Sequence, residues 1–119
     1  MNAAFHRGEA FSKLENYSTV IVEHLALITW FSDHGAFKHW QIEISAFIKT
    51  LQRYDHAKKR SHNFKQDDIV EILQDQISTN EDKESVLIGI EGHGVKAPLK
   101  PDWGKLEQEF VTFAKRVLE

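Results

Sequence analysis

Between Ala36 and Tyr54, the residues Phe37, Trp40, Ile44, Phe47, Leu51 and Tyr54 recur at alternating steps of three and four, an unbroken apolar seam along one side of a helix. A helix with so many rings on one stripe does not stand alone in water. Burying each such side chain contributes roughly 1.5–3 kcal/mol, and only neighbouring segments supply that burial. The flanking chain reads as those segments. From Glu9 to about Ser32, Phe11, Leu14, Tyr17, Ile21, Leu25 and Ile28 define one face with His24 inside it, and Val20, Leu27 and Phe31 widen the apolar arc beyond that of an ordinary surface helix. The spacing predicts a central first helix with neighbours on more than one side. Trp30 projects almost opposite this stripe, beside Thr19, Glu23 and Ala26, so it needs a cover: another segment of the chain, or a partner.

Ser32-Asp33-His34-Gly35 breaks the pattern, with Gly35 suited to a left-handed helix end and Ser32 or Asp33 to capping the second helix. So short a connection predicts an antiparallel helical hairpin. The seam helix runs on to Lys59 or Arg60, and Ser61 to Lys65 reads as a connector. A third helix is expected from near Gln66 to before Asn80, with Ile69, Ile72, Leu73 and Ile77 inward. Thr79 followed by Asp82 reads as the cap of a fourth helix through Glu91, and Val86 to Ile90 also fits a short strand; helix is preferred because the chain offers no strand to pair with it. Residues 92–101 form a loop. Pro101 and Asp102 then open a last helix in which Trp103, Leu106, Phe110, Phe113 and Val117 close the core. The expectation is a single all-α domain over residues 1–119, a bundle of four to five helices built on the antiparallel hairpin of residues 9–60, with residues 1–8 as a loose arm.

Composition narrows the class. The chain of 119 residues suffices for one domain, and 41% hydrophobic with 28% charged residues is the balance of a globular protein. There is no cysteine, which removes disulfides, thiolate metal sites and a cysteine nucleophile. The N-terminal MNAAFHRGEAF has no apolar core of the length a secretory signal needs, and no apolar run approaches a membrane span, so the expected setting is the cytoplasm without membrane contact.

Leu14-Glu15, His24-Leu25, Trp30, and then His39-Trp40-Gln41 with Glu43-Ile44 and Phe47 form a pattern that resembles the domain of unknown function family twenty-nine, small helical proteins of cyanobacteria and other bacteria. The resemblance covers residues 14 to 51 and ends near Arg53. It implies a helical fold in a bacterial protein and carries no activity, cofactor or site residue.

Candidate chemistry is sparse. His39 and Glu43 stand four apart on one helix face, and His24, or His34, is a possible third metal ligand from across the hairpin; no second Glu-x-x-His unit accompanies them. A hydrogen-bonded pair at His39 and Glu43 and a satisfied core histidine at His24 are the competing readings. No nucleophile motif or phosphate-binding loop is present, so no enzyme and no cofactor are expected.

Charge is strongly segregated. Lys49, Arg53, Lys58, Lys59, Arg60 and Lys65 stand against Asp55 alone, a net of +5, whereas residues 66–84 hold seven acids, Asp67, Asp68, Glu71 and Asp75 among them, against Lys83, a net of −6. The leading expectation is therefore a protein partner, held through Trp30, Asp67, Asp68, Glu71 and Asp75 as in inhibitor, immunity or antitoxin proteins. Nucleic acid on the basic segment is the alternative, and a metal-binding bundle the third. The wide apolar arc of the first helix also suggests a homodimer.

Overall fold

The computed structural model describes residues 8–57 and 65–119, and side chains over 12–53 and 65–119. The expected arm at residues 1–8 therefore lies almost wholly outside the described residues, as do most of the connector and Lys58, Lys59 and Arg60. Five helices and no strand appear among the described residues: α1 (Gly8–Trp30), α2 (Phe37–Ala57), α3 (Gln66–Asp75), α4 (Asn80–Glu91) and α5 (Trp103–Val117).

The hairpin forms as the spacing requires. α2 folds back on α1, and Tyr17 and His24 of α1 both set their rings against Phe47. Leu14, Ile21 and Leu25 of α1 share one buried core with the seam residues Trp40, Ile44 and Leu51 and with Ile48, which the seam did not include. α5 lies across α1, α2 and α3 and seals the core with Leu106, Phe110, Phe113 and Val117. α3 buries Ile69 and Leu73, and Ile72 is half-buried.

α1 is the axis of the molecule, because every other helix packs on it. Val22, Ala26 and Leu27 are fully buried. The surface that prompted the homodimer expectation is covered within one chain: α2 to α5 pack on the arc of α1, and of the arc's described residues only Val20 stays exposed. A helix so enclosed has no broad apolar face left over for a second copy.

Local chemistry explains the element ends. The Thr79 hydroxyl accepts from the Asp82 amide at 3.0 Å, and the Asp102 carboxylate accepts from the Lys105 amide at 3.0 Å; both are N-caps that satisfy an otherwise unpaired donor. Residues 86–90 are helical, with Val86 and Ile90 buried on α1. The hairpin turn differs from expectation. Gly35 is not left-handed, and consecutive short turns carry the reversal, with the Ala36 amide donating to His34 Nδ1 at 3.0 Å. The left-handed residue is Gly94, φ 87°, which turns the chain out of α4.

Candidate protein-binding cleft

Trp30 has its cover from within the chain. Its ring meets Trp103 edge to face, with centroids 5.1 Å apart, and its Nε1 donates to the Asp102 carbonyl at 3.2 Å. The first turn of α5 is thereby pinned to the end of α1. Trp103 in turn forms part of the wall of a cleft of about 360 Å³.

Glu71, Asp75 and Ser78 line the cleft from α3 and the turn after it, Lys83 from α4, and Trp103 with Glu107 from α5. Three carboxylates face one ammonium, and that ammonium is engaged: Lys83 Nζ lies 5.5 Å from the centre of the Trp103 ring. Gln74 Nε2 donates to Glu107 Oε2 at 3.2 Å and fixes that carboxylate at the rim. The arrangement is a small negative pocket with an aromatic wall, suited to a cationic side chain.

The expected partner residues therefore divide. Glu71 and Asp75 line the cleft, and Trp30 supports its wall from behind. Asp67 and Asp68 stand apart in the first turn of α3, where Asp68 accepts from the Lys65 amide at 3.1 Å and serves the helix itself. Trp103, Lys83 and Glu107 are the residues that sequence reasoning missed as a site: Trp103 reads there as one more core position and Lys83 as the one base of the acidic stretch, and no local signal brings Glu107 to them.

Among the expected basic residues, Lys49 and Arg53 are exposed on one stripe of α2, and Lys65 is exposed ahead of α3. Lys38 joins that stripe. The end of α5 lies beside it, with the Arg116 guanidinium donating to Ser45 Oγ at 3.3 Å and Gln52 donating to the Arg116 carbonyl at 2.9 Å.

The metal expectation does not converge. His39 and Glu43 form a 3.6 Å pair on open surface, with side chains 69% and 41% exposed. His24 is buried elsewhere, its Nδ1 donating to the Val20 carbonyl at 2.9 Å and its ring edge-on to His93. His34 stacks on Trp40. No group of three or more histidine, aspartate or glutamate side chains able to hold a metal ion occurs among the described residues. The His24 imidazole has the partner that burial demands, and the carbonyl opposite makes Nδ1 the protonated nitrogen.

No family model matches the chain, and no curated protein or solved structure matches it at a significant level. Of the positions that resemble family twenty-nine, Leu14, His24, Leu25, Trp40 and Ile44 are buried packing residues of the hairpin. No helix among the described residues is long and apolar enough to cross a membrane.

Proposed function

We propose that this chain is a small, non-catalytic cytoplasmic protein that binds another protein, taking a basic segment of it into the cleft between α3 and α5 in the manner of inhibitor, immunity or antitoxin proteins. The observation that carries the reading is the convergence of Glu71, Asp75 and Glu107 around Trp103. Carboxylates spread along a helix are ordinary solvated charge. Three of them, drawn from two helices around one ring, form a place where a lysine or arginine gains a charge partner and an aromatic face together.

Titration with an arginine-rich peptide, followed by tryptophan fluorescence, tests this reading. Saturable binding that weakens steeply with salt and is lost in Glu71→Lys and Asp75→Lys supports it. No fluorescence response at low salt, or a response that ignores both reversals, sinks it.

The exposed stripe of Lys38, Lys49 and Arg53 supports a second reading, phosphate contact with nucleic acid. Retention on nucleic acid at low salt, lost in the Lys49→Glu and Arg53→Glu variants, is the result it requires.

A further inference from the structure

Among the described residues, the most exposed large apolar side chains on the helices are Ile42, 62% exposed on α2, and Ile88, 63% exposed on α4. Each lies at the centre of a charged stripe, and the two stripes have opposite sign. On α2, Ile42 is flanked by Lys38 toward the N-terminus and Lys49 toward the C-terminus. With Ala46 and Ser45 these side chains border a shallow trough of about 380 Å³. On α4, Ile88 is flanked by Glu81 and Glu84 on one side and Glu91 on the other. Among the described residues Lys38, Lys49, Glu81 and Glu84 have neither an ion-pair nor a hydrogen-bond partner, while Glu91 accepts from the Ala97 amide at 3.1 Å through one oxygen.

The spacings match when the stripes run antiparallel. Lys49 follows Ile42 by the same interval that Glu81 precedes Ile88, about 10 Å along each axis at the helical rise. Setting Ile88 into the trough beside Ile42 therefore brings Lys49 opposite Glu81 and Ala46 opposite Glu84, and leaves Lys38 one residue out of step with Glu91, about 1.5 Å along the axis and within reach of its long side chain. We infer that the outer face of α4 docks on the outer face of α2 of a second copy of this chain. Phosphate would satisfy the lysines but leave Ile42 in water, whereas the α4 stripe satisfies the lysines and covers the isoleucine.

Within one molecule α2 and α4 do not touch, and both pack on α1. Their outer faces turn away from the same helix on different flanks, so the contact joins unlike faces, head to tail. One helix pair buries less than a stable dimer requires, so the association is weak and dependent on concentration and salt.

Sedimentation velocity over a roughly hundredfold concentration range at low salt tests the inference. The wild-type chain is expected to show a rising weight-average mass, and Ile42→Glu or Ile88→Lys alone to remain monomeric. An equimolar mixture of these two variants is expected to form dimers, because the first keeps its α4 face and the second its α2 face. Lys49→Glu and Glu81→Lys are expected to behave as a second complementary couple. Unchanged circular dichroism confirms that the exposed substitutions leave the fold intact. A wild-type chain that stays monomeric at the highest concentration, with or without retention on nucleic acid, overturns the inference. So does association that survives Ile42→Glu, or a mixture that stays monomeric.

Discussion

Trp30 and Trp103 cross edge to face at 88°, joining the last residue of α1 to the first of α5 across most of the chain. The contact locks the α5 N-terminus, and with it the Trp103 wall of the acidic cleft, to the central helix. An edge-to-face aromatic pair contributes about 0.5–1.5 kcal/mol beyond the area it buries. Trp30→Ala and Trp103→Ala are each expected to lower the stability by about 1–3 kcal/mol. Their double mutant should lose less than the sum, by a coupling of about 1 kcal/mol. Urea unfolding of the four proteins of the cycle measures this, and strictly additive losses would show that the rings merely lie near each other.

The helix caps give a sharper contrast. Thr79 caps α4 through the Asp82 amide, whereas no cap bond from Asp33 to α2 occurs among the described residues. Thr79→Ala should cost about 1 kcal/mol and Asp33→Ala nearly nothing, as read from thermal melts. Equal losses at the two sites would contradict the turn geometry.

These two positions also show what sequence makes legible. The five helices follow from apolar spacing inside each segment, and Thr79 and Asp102 announce their caps, because both signals are local. Gly35 and Gly94 look alike in sequence, and which one turns left-handed depends on how the flanking helices pack. Val22 and Ala26 fall outside the apolar face of α1, and their burial depends on α3, α4 and α5 arriving from far along the chain. The acidic block is visible in the sequence, yet its division is not: Asp68 serves its own helix end, while Glu71 and Asp75 meet Glu107 only because α5 crosses α3. Ile42 lies off the seam, and its significance emerges only beside Ile88.

Gly89 marks a close approach of another kind. The Glu23 side chain lies across it, reaching within 3.6 Å of His93 Nε2, and a methyl group on residue 89 would overlap that carboxylate. Alanine in a helix gains up to about 1 kcal/mol over glycine. Gly89→Ala should therefore stabilise a Glu23→Ala chain by about that amount and the wild-type chain by clearly less, since Glu23 must swing away. Chemical denaturation of the cycle reads the difference. An equal gain in both backgrounds would mean that Glu23 does not rest on α4.

Lys83 gives the cleft its most discriminating test. Its ammonium sits over Trp103, the position in which an incoming cation gains most, so it acts as a resident competitor for the site. Lys83→Ala removes one positive charge and uncovers the ring, and the two changes act in the same direction. The affinity for an arginine-rich peptide should rise, by roughly fivefold at low salt if about 1 kcal/mol is released. Glu107→Gln should lower it, because Gln74 holds that carboxylate at the rim. Fluorescence titration of the two variants beside the wild-type chain gives opposite shifts if the cleft is the binding site. A fall in affinity with Lys83→Ala would place the peptide elsewhere on the surface.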